Sequence, residues 1–136
     1  AYGLLVLLVQ ACIDAAIENG IDTFYCGGAA GFDQISAEYV LQMKARRKEL
    51  RLILALPGED YGSRRGENRT MLQQADGLWY ADRITTVEGF IRRNRYMVNR
   101  SDFCIACVLH HTSGSMFTMN YALSAGKPVI NLGMYL

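Results

Sequence analysis

The sequence is short of proline, of net charge and of long apolar runs. It has 2 prolines in 136 residues, 14 basic against 13 acidic side chains, and no aliphatic run longer than Leu4 to Val9. Each shortage excludes something. Disordered chains are rich in proline and net charge and poor in apolar residues. This chain is 51% apolar and 20% charged, enough to build a core. A net charge of +1 gives no global field to hold nucleic acid or an anionic membrane surface, so charge-dependent binding must come from a local cluster. A membrane-crossing helix needs about 20 apolar residues. The Leu4–Val9 run also lacks the basic flank of a signal peptide. The expectation is a cytoplasmic protein with no membrane partner.

Disulfide chemistry is missing as well. The cysteines are Cys12, Cys26, Cys104 and Cys107, and four cysteines without a secretory signal do not make a disulfide framework. Cys104 and Cys107 form a C-x-x-C inside the apolar run Phe103 to Leu109, which reads as a strand. Strand residues three apart point to opposite faces, so the two thiols are expected in the core rather than on zinc. His110 and His111 are adjacent and have no carboxylate or cysteine spaced to complete a metal site, so no metal is expected.

What is present is a rhythm. Residues 4–18 read as a helix that is apolar on nearly every side, stopped by Asn19-Gly20. Short aliphatic strands follow at 21–26, 52–56, 78–81, 103–109 and 129–132. Helices separate them at about 33–48, 67–75, 88–100 and 115–124. Strand starts recur at roughly 26-residue intervals, the spacing of a strand plus a crossover helix. The strands are continuous aliphatic runs, as buried parallel strands are. The fold class is α/β: a three-layer, Rossmann-like, mostly parallel sheet with helices on both faces. No repeat, linker or low-complexity stretch divides the chain, so residues 1–136 are expected to form one domain.

Ligands of open parallel sheets sit outside the carboxyl ends of the strands, and three segments reach that edge. The first is the turn Cys26-Gly27-Gly28-Ala29-Ala30-Gly31-Phe32-Asp33, which follows a strand and opens a helix. Its glycines allow close backbone approach, and the helix start offers free N–H groups to an anion. Asp33 is placed either to cap that helix or to hold a ribose hydroxyl. The turn is neither a Walker loop nor G-x-G-x-x-G. The second is Arg92-Arg93-Asn94-Arg95, with Arg100 following. Helical spacing lets about two of these arginines face the strand edge, where a guanidinium fork suits phosphate. The third is His110-His111-Thr112-Ser113-Gly114-Ser115. Ser113 and Ser115 are N-cap types, and the small residues leave room for an anion. The loop Glu59 to Arg65 follows the second strand and is a candidate lid. Candidate carboxylates are Asp33, Glu38, Glu59, Glu88 and Asp102, and no serine or cysteine nucleophile has a locally paired histidine.

Taken together, Gly27–Asp33, Arg92–Asp102, Ser113-Gly114, Tyr121-Ala122 and Gly126-Lys127-Pro128 resemble the YpsA-like branch of the SLOG superfamily. That superfamily also holds the DprA DNA-processing proteins and the LOG phosphoribohydrolases. The resemblance covers essentially the whole chain. It implies a Rossmann-like cleft for a nucleotide or nucleotide derivative, such as ADP-ribose or a nucleoside monophosphate, in a sensor or regulator. By the same resemblance the ligand would meet Gly27, Gly28, Ala29, Gly31, Asp33, Arg92, Arg93, Asn94, Ser113, Gly114, Ser115 and Tyr121. Two features depart from the pattern. YpsA-like proteins open with a strand ending in Thr-Gly-His-Arg, which would lie between 22–26 and 103–109, and this sequence has no match to it. The expectation is therefore a domain short of its usual first strand, or a gap covered by another chain. The phosphoribohydrolases carry a catalytic Glu where this chain has Thr118. N-glycosidic cleavage of a nucleotide, with Asp33 or Glu59 as substitute acid, is the enzymatic alternative. Single-strand DNA binding, as in DprA, is not expected at so low a net charge. The apolar face of the first helix suggests a homodimer.

Overall fold

The computed structural model of the chain describes residues 2–61, 69–109 and 114–136. Helix α1 (Tyr2–Glu18) leads into β1 (Thr23–Cys26), α2 (Phe32–Lys44), β2 (Arg51–Leu56) and α3 (Arg69–Gln74). β3 (Gly77–Tyr80), α4 (Val87–Arg100), β4 (Cys104–Ala106), α5 (Gly114–Ser124) and β5 (Val129–Asn131) follow, and a 3-10 turn closes the chain at Leu132–Tyr135. All five strands and the intervening helices fall where the aliphatic runs and helical spacing put them.

Two boundaries differ for local reasons. Helix α2 ends at Lys44 rather than near Lys48, where the Arg46 N–H closes a tighter, three-residue turn on the Met43 carbonyl. Strand β4 keeps three residues of the expected 103–109. Its partner β5 is equally short, and beyond it a side chain takes over from the ladder. The Asn131 Oδ1 accepts the N–H of Val108 at 2.8 Å and of Gly133 at 3.0 Å.

Every strand pair is parallel. β1 pairs β2 from Thr23↔Arg51 to Cys26↔Leu54, and β2 pairs β3 from Ile53↔Gly77 to Leu56↔Tyr80. β4 pairs β5 from Cys104↔Val129 to Ala106↔Asn131. Among the described residues the strands form two groups, β1-β2-β3 and β4-β5, and β1 is not paired with β4. Helices cover both faces, giving the three-layer Rossmann-like arrangement. α1 packs on α2 and α2 on α3, while α4 packs on α5 and crosses β2.

The main core lies on the β1-β2-β3 side. Val9 and Ile13 of α1, Ile35 and Val40 of α2, and Leu50, Leu52 and Leu54 around β2 form one buried cluster. Leu132 joins it from the far end of the chain. Lys44 forms an ion pair with Asp76, whose other oxygen accepts the Leu52 N–H at 2.8 Å. This fixes the end of α2 to the entry of β3. Burial opposes ionisation of Asp76, but Lys44, the Leu52 N–H and Arg51 together hold its carboxyl below the usual range. No helix among the described residues is long and apolar enough to cross a membrane.

Candidate functional site

A cavity of about 790 Å³ opens between β1 and β4. It runs from the strand entries, at Asp22 and Asp102, to the strand exits, at Gly27 and Cys107. α1 and α2 line it with Val9 and Val40, and α4 and α5 with Met97 and Met119.

The exit end is polar and converges on Arg93. Its neighbours on α4 diverge as helical spacing requires. Arg92 is exposed and lies outside the lining. Arg95 is exposed and sits over the Tyr121 ring, 5.4 Å from its centroid. Arg100 lines the opposite end of the cavity and sits over Tyr96. Arg93 is only 7% exposed. Its Nη1 donates to the carbonyls of Gly27 and Ala55, at the exits of β1 and β2, and its Nε donates to Asn94 Oδ1 at 2.7 Å. The guanidinium also lies over the Phe90 ring, which is edge-on to Tyr61. Among the described residues Nη2 makes no hydrogen bond. Burial holds the Arg93 pKa below its ordinary value, partly offset by Asp33 and Tyr61.

Asp33 completes this end of the cavity. It does not cap α2. The N-cap position is Gly31, which makes no side-chain cap bond. Asp33 stands one turn in and reaches back, so that its Oδ2 accepts the Ala29 N–H at 3.2 Å. The residue keeps some exposed surface, but its carboxyl is enclosed. Burial raises its pKa above the usual carboxylate range, against the opposing pull of Arg93 and of the Ala29 and Gly27 amides. Gly27 is the hinge between the two groups. A Cβ there would stand 2.7 Å from Arg93 Nη1 and 2.9 Å from Asp33 Oδ2, so only glycine lets both approach.

Of the residues anticipated from sequence, Gly27, Ala29, Asp33, Arg93, Asn94, Gly114 and Ser115 line this one cavity. Gly28 and Gly31 shape the turn from behind, with φ of 76° and 80°. A Cβ on Gly28 would collide with Leu56. Tyr121 points elsewhere and donates its hydroxyl to Asn99 at 2.9 Å. Ser113 lies outside the described residues, as do His110, His111 and Thr112. Thr118, in the place of the phosphoribohydrolase Glu, lines the cavity and bonds back to the Gly114 carbonyl.

The candidate lid is tied down where it is described. Glu59 N–H donates to the Asp82 carbonyl, and Asp60 accepts from both the N–H and the hydroxyl of Thr85. Residues Ser63, Arg64 and Arg65 lie outside the described set.

Cys104 and Cys107 are half-buried rather than core residues, both border the cavity, and burial raises both thiols. β4 ends before Cys107, so strand alternation no longer separates the pair. Among the described residues no group of three or more His, Cys, Asp or Glu could hold a metal ion.

The aromatic support was not anticipated. Trp79 of β3 stacks on Tyr96 of α4 at 4.1 Å, and Tyr96 meets Tyr25 of β1 edge-on. Phe90, Tyr61 and this stack carry no motif, since their partners are distant in sequence.

The sequence is similar to known proteins. A stretch of 65 residues is 37% identical to a UPF0398 protein of Lactiplantibacillus plantarum, covering 44% of this chain and 34% of that protein. The matched stretch thus spans about a third of that curated relative's length. The YpsA family model, described as the YspA SLOG family, matches residues 2–126. With its parallel α/β layers and that match along most of its length, the chain belongs to the YpsA family of SLOG proteins.

Proposed function

We propose that the chain binds a phosphate-bearing nucleotide derivative at the polar end of the cavity and acts as a sensor or regulator. The observation that carries this reading is the buried Arg93 with Nη2 unengaged among the described residues. It stands between the turn that opens α2 and the Gly114-Ser115 start of α5. A guanidinium costs free energy to bury and is retained where it meets an anion. The helix starts add N–H donors for the same charge. Asp33 then suits a ribose hydroxyl, for which its carboxyl supplies an acceptor.

Isothermal titration with ADP-ribose and with nucleoside monophosphates tests the reading. Arg93→Ala should weaken the best ligand by about 1.5–3 kcal/mol. Absence of heat with every nucleotide, or an unchanged affinity in the variant, would overturn it.

The raised pKa of Asp33 favours a second reading, as a general acid in N-glycosidic cleavage. Release of free base from a nucleoside monophosphate, lost in Asp33→Asn, would support it. Intact nucleotide after prolonged incubation would remove it.

A further inference from the structure

The outer edge of β3 is open, and its geometry is specific. Among the described residues β3 is paired only with β2. In a parallel ladder alternate residues turn their N–H and C=O to opposite neighbours. Arg51 donates to Asp22 at the entry of β1, so Leu52, Leu54 and Leu56 turn toward β3. The residues of β3 that answer them are Gly77 and Trp79, followed by Ala81, whose N–H meets the Leu56 carbonyl at 2.9 Å. Leu78 and Tyr80 therefore turn their backbone groups outward, and among the described residues those groups have no hydrogen-bond partner. Their side chains are also exposed, at 43% and 37%, on the face opposite to Trp79. Outer strands are ordinarily protected by a charge, a proline or a bulge. Gly77 to Ala81 holds no charge and no proline, and the pairing of β3 with β2 is regular.

We infer that this edge is a self-association surface, on which a second copy of the chain lays its own β3 antiparallel, about a two-fold axis at Trp79. Leu78 of each copy then stands opposite Tyr80 of the other, and each such pair exchanges both of its N–H···O=C bonds. A second copy fits this edge because the two-fold operation maps one outward residue onto the other. Every outward donor and acceptor of Leu78 and Tyr80 is then answered. The strand stops at Tyr80, and just beyond it the Asp82 carbonyl is taken by the Glu59 N–H. A longer foreign strand would find no ladder to continue. Leucine against tyrosine is a favourable cross-strand pair, and the symmetry makes it twice on one face. On the other face Trp79 meets Trp79 beside the stack on Tyr96. Of the flanking carboxylates, Asp76 is held by Lys44 and Asp82 lies past the strand. The joined edges turn two three-stranded groups into one continuous sheet. The inference does not rest on the nucleotide reading.

The test uses the intact chain. Its mass by light scattering should rise with concentration toward twice that of one copy. Hydrogen exchange at the Leu78 and Tyr80 amides should slow over the same range. Where nine-tenths of the chain is paired, those amides should exchange about tenfold more slowly, because exchange passes through the free copy. This measurement needs no substitution. Leu78→Lys places a charge in the ladder and should hold the chain at single-copy mass, with its unfolding midpoint near the parent's. A double variant, Leu78→Cys with Tyr80→Cys, should form a disulfide-linked dimer on mild oxidation. Each single variant should behave as the parent does, because the register keeps like positions beyond disulfide reach. A single-copy mass at every concentration would overturn the proposal, as would a Leu78→Lys variant that pairs like the parent. A dimer that leaves the Leu78 and Tyr80 amides unprotected would place the contact elsewhere, such as the apolar first helix, and equally overturn it. Cross-linking of either single variant to the extent of the double would contradict the register. None of these readouts involves a nucleotide, so failure here and failure of nucleotide binding are separate results.

Discussion

Strands β2 and β4 both come from apolar runs and are buried to different depths. Leu52, Leu54, Ala55 and Leu56 of β2 are all buried. β4 and β5, from runs just as aliphatic, contain no fully buried residue. Among the described residues, the main buried cluster gains only Leu132 beyond Met71. Composition makes a strand capable of burial, but neighbours decide whether it is buried. β2 has a strand on each side, whereas β4 has β5 on one side and the cavity on the other.

The largest expected effect addresses that contrast directly. Leu54→Ala should cost about 2–5 kcal/mol in denaturant unfolding, the range for a fully buried leucine. Ile105→Ala, on the half-buried strand, should cost about 1 kcal/mol. Equal losses would mean that β4 is packed as well as β2, and the contrast would be gone.

Legibility in the sequence follows the same division. The β2 strand, its Pro57 stop and the flanking helices could be read because continuous aliphatic runs and helical spacing are local signals. Asn131 replacing the end of the β4 ladder could not be read, since its partner Val108 is 23 residues away. The site was legible as segments and not as an arrangement. The glycine turn and the arginine cluster were visible, but which arginine turns inward depends on the register of α4 against β2. The bond from Arg93 to Gly27 spans 66 residues. Type and position suit Asp33 to a cap or to a ribose hydroxyl, and of the two the structure removes the cap, because the enclosed turn draws its carboxyl back to Ala29.

A smaller pair of effects compares backbone crowding. A Cβ on Gly89 would stand 2.5 Å from the Pro57 carbonyl oxygen, where α4 presses on the end of β2. Gly89→Ala should cost about 1–3 kcal/mol by overpacking. A Cβ on Gly114, at the start of α5, meets nothing within 4 Å among the described residues. Gly114→Ala should stay within about 0.5 kcal/mol. Thermal melts of the two variants check this, and a large loss at Gly114 would show the α5 side to be crowded too.

The smallest effects are in pH dependence, where Asp33 and Asp76 should oppose one another. Asp33 has a raised folded pKa. As pH rises, the unfolded chain ionises first, near about 3.9. Stability then falls until Asp33 itself ionises, and is level beyond that. Asp76 has a lowered folded pKa. Its contribution is complete above about 3.9 and is lost as pH falls through the lowered value. Unfolding measured across the acid range should show the falling limb flattened in Asp33→Asn and the acid loss reduced in Asp76→Asn. Identical profiles for both variants and the parent would contradict these assignments.

The aromatic stack supplies the molecule with an optical gauge. Trp79 is the only tryptophan in the chain, and it lies flat against Tyr96, one helical turn beyond Arg93. Through Tyr96 its ring also communicates with Tyr25, on the strand that borders the cavity. Any movement of α4 against the β1-β2-β3 sheet must slide or separate the two rings. The emission of Trp79, recorded without label or mutation, therefore reads out the seating of the helix that carries Arg93.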